Sequence, residues 1–429
     1  MRVVVIGGTG LIGSHVVRAL RTAGCTVLGA SRRRPLGEAA SDWIELDFGA
    51  MTQEQDWLAL LDGRRIDAVV NCVGIIRESR PGDFDRLHRA APVALFGACE
   101  RLGIRRVVQL SALGSHPDAA TGYWRSKGAA EVDLLARPLE ATIIRPSLVY
   151  GEDGASSVMF RMLATLPVLM MPAAHRALVQ PVHVTDLADI VCRLVTGPAG
   201  PRELAVVGPR AATMAGYLGE LRRGMAAPAG LVLELPQPVA RAVARVAALI
   251  PSSALTPESL LMLEQSADGS NTADPAPAQA LLGRPLRDPA RFARPAERIT
   301  AAWQWGAPLV TFTMALLWLI TAYVSWFAWP QAQSLAWLAA CGVPAAWQQP
   351  LLLAASLTDA AIGVALLVQL WRPQRWLWLA QLVLVGGYTV VLSVFLPGFW
   401  AHPFGPLTKN LPLLAIMAVL WRLTPGRRR

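Results

Sequence analysis

Three side chains in the first third of the chain are of types that move protons when brought together: Ser111, Tyr123 and Lys127. Tyr123 and Lys127 stand four residues apart in "GYWRSK", which puts both on one face of a helix. A free tyrosine has a pKa of about 10 and is a poor acid or base at neutral pH. A neighbouring ammonium favours the phenolate and lowers that value. Only two of the 40 basic residues are lysine, Lys127 and Lys409. A chain that otherwise uses arginine places here a compact ammonium, able to sit beside a phenol and to reach ribose hydroxyls where a broad guanidinium fits poorly.

A second constellation is "IGGTGLIG", residues 6–13. Gly7, Gly10 and Gly13 follow an apolar strand pattern and open a helical one. Gly7 permits a tight turn, Gly10 lets the backbone approach a pyrophosphate, and Gly13 allows close helix–strand packing. Thr9, Leu11 and Ile12 complete the turn, whose amides and helix dipole suit an anion. The second strand runs into Ser31, Arg32 and Arg33, where an NAD site carries an acid for the ribose 2′-hydroxyl. Arginine there favours a 2′-phosphate, so the expected cofactor is NADP, with NAD as the alternative. A solvated arginine run in an arginine-rich chain is the competing account. Asp47 after the third strand is expected beside the adenine, and Asn71, Cys72, Val73 and Gly74 after the fourth along the cofactor's far side.

The elements that must position these groups are short β-branched runs at 2–8, 26–31, 43–48, 68–74, 106–113 and 141–150. Helical patterns lie between them, at 11–23, 84–102 and 123–136. Continuous apolar strands alternating with helices predict a parallel sheet covered on both faces, α/β and doubly wound, over residues 1–210. Ser111 then falls on the carboxyl edge of the sheet, where ligands bind. Residues 211–300 read as a substrate-side extension and linker. Within it 236–251 is an amphipathic arginine-bearing helix, for which packing is the expected role and lying on a membrane surface the second. Residues 266–285 read as loop with a short helix.

Composition changes after residue 300. Hydrophobic residues make up 53% of the chain and charged ones only 16%, against about 25% in soluble domains. Twelve of the 15 tryptophans lie in this tail, which has seven basic residues against the single acid Asp359. Four apolar segments, 307–329, 350–371, 376–397 and 406–423, approach the length needed to cross about 30 Å of hydrocarbon. An all-α domain of four transmembrane helices over 301–429 is expected. The basic balance is therefore charge flanking membrane spans, and no nucleic-acid partner is implied. Arg372 and Arg375 between spans two and three, and the terminal "GRRR", put both ends and the nucleotide domain on the cytoplasmic side of an inner membrane. Asp359, midway along the second span, is expected to face the bundle, with Lys409 a candidate partner. The five cysteines have no paired spacing, and no metal site is expected.

Taken with "NCVG", "LSALGS", "IIRPSLVYG" (143–151) and "QPVHVTDLA" (180–188), these motifs resemble the short-chain dehydrogenase/reductase superfamily over about residues 1–205. The branch is the extended or atypical one that includes the nucleotide-binding accessory subunit of respiratory complex I. The resemblance implies a Rossmann-type fold, Tyr123 as general acid/base, Lys127 as ribose ligand and Ser111 as holder of the substrate oxygen. It also puts Arg145, Pro146 and His183 beside the cleft. Where the superfamily usually carries a relay asparagine, "FDRLHRAAPVA" offers His88. The tail, through "LPGFWAHPFGPLTKNL" (396–411), resembles the DoxX-like membrane family. Together these imply a membrane-anchored NADP-dependent oxidoreductase acting on a small apolar molecule dissolved in the bilayer. The alternatives are a non-catalytic nucleotide-binding scaffold with a membrane-protein partner, and a nucleotide-sugar epimerase or dehydratase.

Overall fold

The computed structural model describes residues 1–248, 256–269 and 271–425. Residues 249–251 of the expected amphipathic helix and 426–429 of the basic terminus lie outside them. The chain divides into two compact units, Met1–Ala301 and Ala302–Arg429.

The first unit begins β1 (Arg2–Ile6), α1 (Leu11–Thr22), β2 (Thr26–Ser31), β3 (Trp43–Glu45), α2 (Glu54–Leu61) and β4 (Ala68–Asn71). There follow α3 (Ala91–Arg101), β5 (Arg106–Leu110), α4 (Gly122–Ala136), β6 (Glu140–Pro146), β7 (Val149–Tyr150), α5 (Ala155–Thr165) and β8 (Val168–Met171). Next come β9 (Leu178–Val179), β10 (Val182–His183), α6 (Val184–Thr196), β11 (Glu203–Val206), β12 (Ala212–Thr213) and α7 (Met214–Gly224). The unit closes with β13 (Leu231–Glu234), α8 (Gln237–Ala247), α9 (Pro257–Gln265) and α10 (Ala276–Leu282).

Seven strands form one parallel sheet in the order β11-β6-β5-β4-β1-β2-β3. The order reverses between β1 and β4, which opens a crevice at their carboxyl ends. Every expected strand is present; β2 has the expected bounds, and the other runs overshoot into the loops that follow the strands. The seventh, β11, pairs with β6 and did not stand out from its surroundings in the sequence. Alternate residues of each strand feed two cores, as a doubly covered sheet requires. Val3, Val5, Val70 and Val108 pack under α1 and α6, and Val4, Ile6, Val69 and Val107 under α2 and α3. Ala278 and Leu282, from the stretch read as loop with a short helix, and Leu286 just beyond it are buried in the first of these cores.

The second unit is helical. α11 (Arg298–Tyr323) enters it and continues through a π-helical turn, followed by α12 (Gln331–Ala340), α13 (Ala345–Gln369), α14 (Arg375–Phe395) and α15 (Asn410–Leu423). Three stretches, Pro295–Ala328, Ala345–Gln369 and Arg375–Phe395, are long and apolar enough to cross a membrane. The fourth expected span differs. Residues 402–409 are spent on turns, and α15 has 14 residues, about 21 Å at about 1.5 Å per residue. Nor was α12, between the first two expected spans, foreseen. The helices meet through Met314, Trp318, Leu366, Trp378 and Met417, while Phe312, Ile320, Val364, Val383 and Val390 face outward. Polar groups turn inward: Trp318 Nε1 donates to Gln381 Oε1 at 2.8 Å, and Asn410 Nδ2 to Thr389 Oγ1 at 2.9 Å. Asp359 is buried as expected but forms no salt bridge with Lys409 among the described residues.

Candidate active site

The glycine loop is built as the spacing predicts. Gly7 has φ +79°, a conformation that side-chain-bearing residues avoid. A Cβ on Gly13 would lie 2.1 Å from the carbonyl oxygen of Gly7, so only glycine lets α1 approach this closely. Gly10 caps α1, and the first turn, Leu11 to Gly13, presents amides with no acid nearby. These are features that a pyrophosphate fits.

Beside it, the loop after β2 is fixed while its charges stay free. Ser31 Oγ donates to the carbonyl of Arg33 at 2.7 Å and accepts from Trp43 Nε1 at 3.0 Å. The Arg34 amide donates to Glu45 Oε1 at 3.1 Å. Arg32 and Arg33 are exposed and form no ion pair among the described residues. Trp43, whose ring covers Gly29 and touches Gly8, is the organiser that sequence reasoning missed. Asp47 is exposed, its Oδ1 accepting from the Gly49 amide.

The floor of the crevice runs from the glycine loop to the tyrosine. A Cβ on Gly7 would meet Cys72 and Val73 at 3.2 Å, and one on Gly74 would meet Lys127 Nζ at 3.4 Å. Asn71 braces this turn from beneath: its amide donates to Gln109 and its oxygen accepts from the Val73 amide. Lys127, 5% exposed, donates to the Leu110 carbonyl at 3.1 Å, at the end of β5 next to Ser111. Its Nζ lies 5.6 Å from the centre of the Tyr123 ring. Ser111 Oγ donates to Ser115 Oγ at 3.2 Å.

The electrostatics differ from the sequence expectation in one respect. Burial pushes the Tyr123 phenol up to about 12, and the ammonium of Lys127 does not offset this. Burial also brings Lys127 down to about 8, against the smaller opposing pull of Glu131 and Cys72. The phenol is thus held protonated at neutral pH.

His88 lies beside the tyrosine. It lies on a π-helical turn, Asp85–Ala90, that leads into α3, and is 2% exposed. Its Nε2 accepts from the Ile75 amide at 3.1 Å, so Nδ1 carries the proton and donates to Ser126 Oγ at 3.0 Å. Burial, helped by Lys127, drives its pKa down to about 2. Both nitrogens are committed, so His88 braces the loop after β4; its ring stacks on Phe84 and meets Tyr123 edge-on. It is no relay.

Three further residues were expected beside the cleft. The Arg145 guanidinium pairs with buried Glu131 at 2.5 Å and with Glu203 at 2.8 Å, and these carboxylates raise its pKa. Pro146 ends β6, its carbonyl accepting from the Leu113 amide. His183 caps α6 and lines a cavity of about 610 Å³ with His15, Arg18, Glu152 and Asp189, away from Tyr123. Unforeseen was Glu258 of α9, whose Oε1 accepts from the Tyr123 amide at 3.1 Å.

A parallel sheet of this order with a glycine loop at its switch point defines a dinucleotide-binding domain. Residues 3–208 match the NAD dependent epimerase/dehydratase family, and residues 315–418 the DoxX-like family. The chain therefore joins an epimerase-like, short-chain-dehydrogenase-type NAD(P)-binding domain to a DoxX-like domain. It is 27% identical over 189 residues to a ceramide reductase of Caulobacter vibrioides, covering 43% of this chain and 58% of that protein. It is 26% identical over 215 residues to the mitochondrial NADH dehydrogenase (ubiquinone) 1 alpha subcomplex subunit 9 of Mus musculus, covering 48% and 56%. The chain thus spans little more than half the length of these relatives. The fold is shared with a UDP-N-acetylglucosamine 4-epimerase from Bacillus cereus, with TM-score 0.52 and 16% identity over 70% of this chain and 99% of that one. It is shared equally with an NADPH-dependent quinone oxidoreductase from Escherichia coli complexed with NADPH, with TM-score 0.52 and 17% identity over 67% and 97%.

Proposed function

We propose that the protein is a membrane-anchored NADP(H)-dependent reductase acting on a carbonyl of an apolar, bilayer-dissolved molecule. The observation that carries this reading is the continuous floor from the glycine loop through Gly74 to Lys127 and Tyr123. The cofactor would be held by the amides at the start of α1, by Arg32 and Arg33, and by Lys127 at the ribose; it would supply a hydride to the carbonyl carbon. Tyr123 donates its proton to the carbonyl oxygen, a direction suited to a phenol held at about 12. Ser111 orients that oxygen, and Lys127 steadies the phenolate left behind.

The apolar substrate is supported by the DoxX-like domain with its three helices of membrane-crossing length, and by the likeness to a protein named as a ceramide reductase. In this reading the nucleotide domain faces the cytoplasm. The scaffold reading is favoured by the likeness to the complex I subunit. One experiment separates the two. The full-length protein, in bilayers containing long-chain ketones, should oxidise NADPH. Tyr123→Phe should abolish turnover and leave NADPH binding intact. A fully active Tyr123→Phe protein would overturn the assignment, and binding without turnover on any ketone would favour the scaffold.

A further inference from the structure

The first unit carries an apolar surface that its own core does not use. β8 and β13 pair in parallel, with Val168 opposite Leu231 and Met170 opposite Leu233. Leu169 points into the core, so by alternation these four point out, and they are 39–56% exposed. The chain passes directly from β13 into α8, where Val239, Val243 and Val246 form one stripe by their i, i+4, i+7 spacing. They too are 43–66% exposed. The helix is held on its other side, where Ala240 and Ala244 pack on Leu260 of α9.

We propose that the face formed by β8, β13 and the valine stripe of α8 docks on the surface of an anionic lipid bilayer. Charge argues for this occupant. Residues 225–248 contain one acid, Glu234, and it is spent on Arg176 at 2.8 Å. Arg241 and Arg245 remain largely exposed; Arg241 has only a long pairing with Glu264 of α9, at 3.8 Å, and Arg245 has no ion pair among the described residues. A helix with an aliphatic stripe on one face, whose own charges are both arginines on the other, matches acyl chains beneath anionic headgroups, and the arginine stems can reach back to headgroup level. A protein partner would call for aromatic anchors, and this face has none. The same chain continues into helices of membrane-crossing length, so a bilayer is within reach at high effective concentration.

Docking there would bear on the cleft, because the excursion is tied to it twice. Arg77, in the loop after β4, donates to the carbonyl of Ala248 at 2.8 Å, just beyond α8. Glu258 at the start of α9 accepts from the Tyr123 amide. A docked α8 would therefore hold the rim of the cleft against the lipid, on the reading that the second unit anchors the chain.

The test uses the full-length protein in lipid nanodiscs, with an environment-sensitive fluorescent amino acid at Val243. Leu36, fully exposed, is the control position. In discs of phosphatidylglycerol and phosphatidylcholine with brominated acyl chains, emission from position 243 should fall at least twofold and that from position 36 should not change. Replacing phosphatidylglycerol by phosphatidylcholine should weaken the quenching. Val239→Glu with Val246→Glu should abolish it while NADPH binding stays within twofold, which guards against misfolding. An unquenched, red-shifted label in disc-bound protein leaves the face in water and overturns the proposal. An unquenched, blue-shifted label that requires two copies per disc assigns the face to a second copy and overturns it equally. Failure of the protein to associate with discs at all would instead sink the reading of the second unit as an anchor.

Discussion

Replacing Gly13 with alanine sets two effects of opposite sign against each other. Alanine is the better helix former by up to about 1 kcal/mol. Its Cβ, however, would lie 2.1 Å from the carbonyl oxygen of Gly7, 2.8 Å from the carbonyl carbon and 3.1 Å from the Cα of Gly8. All three are backbone atoms, so no rotamer change relieves the overlap. The loop or the helix must retreat by more than an ångström. The loop is held by bonds from the Gly7 and Gly8 amides to the Ala30 carbonyl, at 2.9 and 3.1 Å, and by one from the Gly10 amide to the Gly7 carbonyl, at 2.9 Å. Overpacking of this kind costs about 1–3 kcal/mol, which outweighs the propensity gain. The displaced atoms belong to the proposed phosphate cradle, so NADPH affinity should fall tenfold or more, or at least about 1.4 kcal/mol. Gly219→Ala is the internal control. Gly219 lies within α7, has no positive φ, and its added Cβ would meet nothing within 4 Å. It should stabilise by about 0.5–1 kcal/mol and leave NADPH binding unchanged. Thermal melts of both variants in one detergent and fluorescence titration with NADPH provide the comparison. A Gly13→Ala protein that melts as high as Gly219→Ala and binds NADPH with unchanged affinity would refute the reasoning.

Three further outcomes are expected. The unfolded chain holds a lysine proton up to about pH 10.4, whereas folded Lys127 gives its proton up at about 8. Its burial penalty is therefore full below pH 8 and fades above it, so Lys127→Met should be the more stable protein at pH 7 by a few kcal/mol. That advantage should close by about pH 10.4, and melts across this range check it. His88 is the opposite exercise. It stays neutral when folded but protonates below about 6.5 when unfolded, so its stabilisation is present above 6.5 and lost as pH falls, by up to about 1.4 kcal/mol per unit. His88→Asn should lack this acid-side slope in melts between pH 7.5 and 5.5. Arg32→Ala with Arg33→Ala should narrow the preference for NADPH over NADH by at least tenfold, since a charge-assisted hydrogen bond contributes about 1.5–3 kcal/mol. Equal affinities in the unmutated protein would remove the case for a 2′-phosphate site.

The glycine loop, the strands around it and the Tyr123–Lys127 pair were legible because their signals are local. A turn that needs φ > 0 and two residues one helical turn apart are written within a few positions. What escaped depends on partners far along the chain. The fate of the His88 nitrogens is settled by Ile75 and Ser126, that of Arg145 by Glu131 and Glu203. The sequence argument for a lowered tyrosine pKa weighed the ammonium and not the burial that opposes it. The short α15 escaped because hydropathy counts apolar residues and ignores the turns at Phe404–Thr408 that shorten the helix.

The burial of Ala278, Leu282 and Leu286 beneath the sheet has a consequence for biosynthesis. β11, the last strand of the sheet, is complete at Val206, yet the residues that cover part of one face are made about 80 positions later. At about 5–20 residues per second, that face waits on the order of 4–16 seconds for its cover. Arg284 and Arg287, which pair with buried Asp186, arrive in the same interval. The apolar helix that begins at Arg298 is translated directly afterwards. The nucleotide domain therefore closes at nearly the moment the first membrane-length segment is made, and the ribosome delivers the two events in a fixed order, cover first and long apolar helix second.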